Sequence, residues 1–268
     1  MKGDDFRAGF DGAYSQFIEN GLFFESPDYY RRYKSRYYAI IEQIAALGIP
    51  RGSRLVEFGG GQVAILASRL LGTESTVCDV SEHYREGIEG AGVAFAAFDL
   101  VKDAPPGNAD LPIGTFDVAV LSEVIEHLPV PPYVALEKVR AMLRSGAWLV
   151  LTTPNLHSIR NAVYLLLGRR LFGHFFYPAE GEYCESHVVE YSRSHLVWQL
   201  ERAGFSDIRA EFRQFHHTPY SRVFRVLYGI GRPMFYVPRF RQSLLAVARN
   251  GPGNADLPIG TFEGKDAP

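Results

Sequence analysis

Apolar positions along the chain follow two rhythms. Behind Ser26-Pro27-Asp28, the residues Tyr30, Tyr33, Tyr37, Ile40, Ile41, Ile44 and Leu47 recur at helical spacing. Ser26 is a candidate N-cap with proline at the first helical position, and Gly48 with Pro50 stops the run. Short unbroken apolar runs follow at Arg54–Phe58, Thr76–Val80, Val93–Phe98, Phe116–Leu121 and Trp148–Thr152. They lack the polar alternation of a half-solvated strand, so both faces are expected to be covered, as in a parallel sheet. Helices are expected at Val63–Leu71, Pro132–Leu143 and Ser194–Ala203, and a last strand at Leu244–Ala248. This alternation predicts an α/β fold: a doubly wound, Rossmann-like, mostly parallel sheet with helical insertions. The expected organisation is an N-terminal helical cap (1–50), a core (51–213) carrying an insertion at about 156–191, and a basic aromatic insertion with the final strand (214–250).

Composition narrows the function classes. With 47% hydrophobic and 22% charged residues in 268, the chain is globular rather than disordered. Cys78 and Cys184 are the only cysteines, which excludes a disulfide scaffold and a cysteine zinc site and fits a reducing compartment. No run approaches the ~18 apolar residues of a membrane span, and MKGDDFRAGFDG is too acidic for a secretory signal. A cytoplasmic protein is expected. A net charge of −2 gives no bulk attraction to nucleic acid. Yet Phe212 to Ala255 contains no acid and seven arginines, from Arg213 to Arg249. Either arginine is simply favoured over lysine throughout, or 215–242, with its interleaved Tyr and Phe, touches the inner face of an anionic membrane or a lipid-linked phosphate. Residues 106–116 (PGNADLPIGTF) recur at 252–262 and KDAP recurs at 265–268, so the tail 251–268 is set outside the fold.

The chemistry gathers at the carboxyl ends of the expected strands, where open α/β sheets bind ligands. Glu57-Phe58-Gly59-Gly60-Gly61-Gln62 follows the first strand and opens a helix. Glycines there allow a tight turn and a close approach to a ligand, beside the free N–H groups of a helix start. Asp79 ends the second strand, placed for ribose hydroxyls, and Asp99 ends the third, placed for an adenine amine. Each acid alone reads equally well as a cap or turn residue; three at successive strand ends point to a nucleoside site. Gly59, Gly61 and Ala64 also satisfy the dinucleotide pattern G-x-G-x-x-A, so an oxidoreductase stays open on these residues alone.

The glycine segment, Asp79, Phe116–Leu128 (FDVAVLSEVIEHL), Thr152-Thr153-Pro154-Asn155 and Ala203-Gly204-Phe205 together resemble class I S-adenosylmethionine-dependent methyltransferases, in the broad group that includes ubiquinone-pathway O-methyltransferases. The resemblance spans about 51–213 and implies S-adenosylmethionine as cofactor. It implies Gly59, Gly60 and Gly61 along the methionine part, Glu57 near its amino group, Asp79 on the ribose, Asp99 near the adenine amine and Ser122 beside the methionine. Val63 departs from the family's third glycine, which allows a non-catalytic, cofactor-binding reading.

Transfer from an activated sulfonium asks mainly for positioning and removal of the acceptor's proton. Glu123, Glu126 and His127 stand at i, i+3 and i+4, which on a helix is one face. His127 is the candidate base, with Glu126 and His187 beside it in the catalytic set. The expected reaction is O-methylation of a small, saccharide or lipid-linked acceptor. The same Glu123, Glu126 and His127 with His187 could instead hold a divalent ion. That arrangement resembles metal-dependent small-RNA methyltransferases acting on a 3′-terminal 2′-hydroxyl, which would make nucleic acid the acceptor. The insertion offers His157, Arg160, Tyr183 and Tyr191 as candidate acceptor contacts.

Overall fold

A computed structural model describes residues 3–19, 27–103, 111–169, 171, 187–215 and 236–251. Helix α1 (Gly3–Tyr14) runs into a π-helical turn (Ser15–Glu19), and α2 spans Pro27–Ala46. The alternating core follows as β1 (Arg54–Phe58), α3 (Gln62–Leu71), β2 (Glu74–Asp79), α4 (Arg85–Gly90), β3 (Ala94–Ala97), β4 (Phe116–Ser122), α5 (Pro132–Met142) and β5 (Leu143–Pro154). Then come α6 (Ile159–Leu166), α7 (Arg193–Arg202), β6 (Ser206–Arg213) and β7 (Ser243–Arg249). The strands form one seven-stranded sheet in the order β3-β2-β1-β4-β5-β7-β6. Strands β1 to β4 pair in parallel, and β6 with β7 is antiparallel. This is the doubly wound, mostly parallel α/β architecture that the alternation predicts. Among the described residues no helix is long and apolar enough to cross a membrane.

The chain packs as two units, 1–122 with 138–150 and 123–137 with the chain from 151 onward. In the first, Val56, Phe58, Leu66, Val77 and Val120 are fully or almost fully buried, which explains why these strands read as continuous apolar runs. Helix α2 packs on α3 through its apolar stripe, including Tyr37, Ile40, Ile41 and Ile44. Arg36 is buried there, its guanidinium over the rings of Tyr33 and Tyr37.

Among the described residues, the second unit contains the one strand that the apolar runs do not announce. In β6, Asp207, Arg209 and Glu211 are exposed while Ile208, Ala210 and Phe212 are half-buried. It is an edge strand with charges on its open face, so its signal is alternation rather than a run. Its register shifts between Ser206 and Arg209, where Asp207 adopts a φ of 49°.

Candidate functional site

In the first unit the strand order reverses between β1 and β4, and the carboxyl ends of β1 to β4 carry the expected groups. Gly59, Gly60 and Gly61 after β1 have φ of 74°, 81° and 106°, values that L side chains rarely adopt. A Cβ on Gly61 would also stand 3.2 Å from Val77 Cγ2 and 3.3 Å from Ile88 Cδ1. Gly59 N–H donates to the Cys78 carbonyl at 2.9 Å and Gly60 N–H to Asp79 Oδ2 at 3.3 Å, which fastens the turn to the end of β2. Asp79 Oδ1 accepts from Ser81 N–H at 2.9 Å, and the residue remains half-exposed.

Helix α3 begins at Gly61, which has no side chain to cap it. Glu57 fills that role from β1: Oε2 accepts from Ala64 N–H at 2.6 Å and Oε1 from Val63 N–H at 3.3 Å. Burial pushes the Glu57 carboxyl up to about 8, against the lowering effect of these amide bonds. At 1% exposure, this side chain is committed to α3. Asp99 Oδ1 accepts from Val101 N–H at 2.7 Å and Lys102 N–H at 3.1 Å, an Asx turn. Ser122 ends β4, half-exposed. Val63 has no exposed surface, so its side chain fills the core rather than lining an open cleft.

The second unit assembles the other candidates. After β4 the chain does not enter a regular helix. Glu123 has a φ of 57°, and the residues Ile125–His127 form a 3₁₀ turn. The expected helical face of Glu123, Glu126 and His127 is therefore not formed, because the left-handed residue swings Glu123 out of the turn. Glu126 and His127 instead meet His187, whose nearest ligating atoms with theirs all lie within 4.8 Å of one another. The His127 and His187 rings are 5.0 Å apart, edge to face. Backbone bonds hold the two segments together: Val188 N–H donates to the Glu126 carbonyl at 2.7 Å, and Val189 N–H to the same oxygen at 3.4 Å. Glu126 is wholly buried, its Oε2 accepting from the Thr153 hydroxyl at 3.0 Å.

His187 has its own carboxylate partner. Its Nδ1 lies 3.2 Å from Glu190 Oε1. Glu190 is buried, accepts from Asn161 Nδ2 and has Arg160 Nη1 at 3.8 Å. A carboxylate on one ring nitrogen fixes the tautomer and orientation of a histidine and leaves the other nitrogen for a proton or a cation. The sequence does not single out Glu190 or Asn161, and it shows Thr153 only as part of the Thr152–Asn155 motif. The spacing His187-x-x-Glu190 is the only local hint, and the fold supplies the rest.

With this geometry in place, the comparisons decide the family. A family model described as a methyltransferase domain matches residues 29–210, more than half of the chain. The chain belongs to this methyltransferase family. No curated protein matches it. Among solved structures it is similar to an S-adenosylmethionine-dependent methyltransferase of Archaeoglobus fulgidus, 19% identical over 80% of this chain and 94% of that one, with a TM-score of 0.53. The corresponding enzyme of Mesorhizobium loti is 18% identical over 80% and 97%, with a TM-score of 0.52. Phosphoethanolamine N-methyltransferase 2 of Haemonchus contortus, in complex with S-adenosylmethionine, is 13% identical over 91% of this chain and 57% of that one, with a TM-score of 0.52.

The protein is thus a methyltransferase whose cofactor is S-adenosylmethionine. The first unit fits that cofactor. Gly59 and Gly60 are half-exposed in the turn, Gly61 packs inward beneath them, and Asp79 offers a half-exposed carboxylate to hydroxyl donors. Of the candidate acceptor contacts, His157 is exposed, its N–H donating to Asn155 Oδ1 at 3.1 Å. Arg160 is exposed and lies beside Glu190 and over the Tyr164 ring. Tyr191 is 1% exposed and its hydroxyl donates to the Ile125 carbonyl at 3.5 Å, so it braces the 3₁₀ turn instead of facing an acceptor. Tyr183 lies outside the described residues, as do most of the insertion, 216–235 and the repeated tail.

Proposed function

We propose that this methyltransferase methylates a hydroxyl oxygen of a small, saccharide or lipid-linked acceptor. The supporting observation is the pair of half-exposed histidines, His127 and His187, set on the buried Glu126 and Glu190. When bound, S-adenosylmethionine supplies an activated methyl group. Gly59 to Gly61 and Asp79 would hold it, with Glu57 keeping the glycine turn locked to α3. Asp99 and Ser122 are assigned to the adenine and methionine ends.

On the acceptor side, His127 serves as general base for the hydroxyl proton. His187 stands beside it, oriented by Glu190. Glu126 is buried in the turn that carries His127, its carboxyl accepting from the Thr153 hydroxyl. A hydroxyl has a high pKa and needs such a base; an amine that is already neutral would not. The test is radiolabelled methyl transfer to a panel of hydroxyl and amine acceptors, with S-adenosylhomocysteine binding followed in parallel. The expected result is that His127→Ala lowers turnover on a hydroxyl acceptor by about a hundredfold with cofactor affinity unchanged. Full turnover in His127→Ala would overturn the assignment.

One observation favours a second reading. A carboxylate and two imidazoles with convergent ligand atoms, one imidazole backed by Glu190, suit a divalent transition metal. The acceptor would then be a vicinal diol, such as the terminal ribose of an RNA. Glu123 is left out of this ligand set. Turnover that survives a chelator would remove this reading and leave the first.

A further inference from the structure

Helix α6 and its C-cap end in three consecutive leucines that stand exposed among the described residues. Leu165, Leu166 and Leu167 are 63%, 87% and 58% exposed, whereas most of the protein's other large apolar side chains are buried among the described residues. Three successive residues on a helix span about 200° of its circumference. A groove on another protein takes one face, at i, i+3 and i+4. Three neighbours pointing different ways are buried together readily when the helix tip enters a fluid apolar medium.

The backbone at this tip suits such a medium. Gly168 has a φ of 61°, Arg169 N–H donates to the Tyr164 carbonyl at 2.8 Å, and Gly168 N–H to the Leu165 carbonyl at 3.0 Å. This Schellman closure satisfies carbonyls that a helix end normally leaves to water, and satisfied polar groups are the condition for entering lipid. Along the sequence around the tip the charge is of one sign. From His157 to Ala179 the sequence has no Asp or Glu, and it carries Arg160, Arg169 and Arg170. Arg169, directly behind the leucines, is exposed. Leucines flanked by arginines match the acyl boundary and headgroups of an anionic bilayer. In the same unit Tyr236 is 84% exposed, two residues before the Pro238–Phe240 turn. Asn155, which precedes α6, donates to the carbonyls of Arg239 and Arg241 in that turn and its flank. The turn that follows this exposed aromatic is thereby tied to the base of the same helix.

We propose that the Leu165–Leu167 tip of α6, with Arg169, is a docking element for an anionic membrane surface. It goes beyond the methyl-transfer reading, since it concerns where the protein works and holds whichever acceptor is used. The experiment is co-sedimentation of the full chain with phosphatidylcholine vesicles, with and without phosphatidylserine. Wild type should partition onto the anionic vesicles and much less onto the neutral ones. The Leu165→Ser/Leu166→Ser/Leu167→Ser variant should lose roughly tenfold or more of that partitioning. Arg169→Glu should lose a smaller factor, and more at low salt than at high salt. Both variants alter exposed side chains and should bind S-adenosylhomocysteine as wild type does, which shows that the fold is intact. No sedimentation of wild type with anionic vesicles would overturn the proposal, as would a triple variant that sediments equally well. A leucine-dependent dimer in vesicle-free sedimentation velocity, without vesicle binding, would overturn it in favour of self-association.

Discussion

The glycine turn of the first unit and the histidine pair of the second are built in opposite ways. From Glu57 to Asp79 the chain supplies the end of a strand, a glycine turn, a helix and the next strand, and most contacts that shape the turn stay inside that stretch, with Ile88 and Tyr30 joining from outside. The Glu126–His127–His187 cluster draws on Thr153, Asn161 and Glu190 as well, and is closed by backbone bonds from Val188 and Val189 to Glu126. Backbone conformation is the scarce resource in the first region. In the second it is the convergence of distant polar side chains. The same lesion should therefore act differently in the two places.

The largest effect should come from Gly61→Val. The substitution forces a β-branched residue into a φ of 106° and against Val77 and Ile88. A loss of about 3–5 kcal/mol of stability is expected from strain and overpacking together. It should appear in urea unfolding, with S-adenosylhomocysteine binding lost. A variant that unfolds like wild type would show that the turn is soft and that the contrast between the regions is overdrawn.

Next is a pH dependence that belongs to the first region. The Glu57 carboxyl rises from 4.5 to about 8 on folding, chiefly by burial. Between those values the folded chain binds a proton that the unfolded chain releases, so this contribution to stability is complete below pH 4.5 and declines as pH rises towards 8. The slope is at most about 1.4 kcal/mol per pH unit. Urea midpoints for wild type and Glu57→Gln across pH 5 to 8 would isolate it: the wild-type curve should fall relative to the variant's. Parallel curves would mean that Glu57 is as ionised folded as unfolded.

A smaller effect sharpens the second region. Glu190→Gln keeps the shape but removes the charge behind His187. It should weaken manganese binding, measured by calorimetry, by about 10- to 100-fold while leaving S-adenosylhomocysteine affinity unaltered. Equal manganese affinity in the variant would reduce Glu190 to a packing group.

Much of this was legible in one dimension. The five apolar runs correspond to β1 to β5 because parallel strands buried on both faces need continuous apolar residues. The glycines and Asp79 were legible because positive φ and strand-end acids leave residue-type signatures. Strand β6 was not, since a half-buried edge strand alternates and mixes its charges into the run. The helical face of Glu123 with Glu126 and His127 was misread, because the spacing is compatible with a helix while the backbone turns left-handed at Glu123. Tyr191 carried the right residue type for a ligand contact and went to the interior.

The sequence by itself thus determined the order of strands and helices, the conformation of the glycine turn and the acid at the end of β2, since these depend on local sterics and on apolar periodicity. The tertiary structure alone decided which polar residues share a site. It brought His187 to His127, placed Glu190 and Asn161 behind it, and assigned Glu57 to cap α3. No local rule in the chain encodes that convergence, because it arises from the packing of segments far apart in sequence.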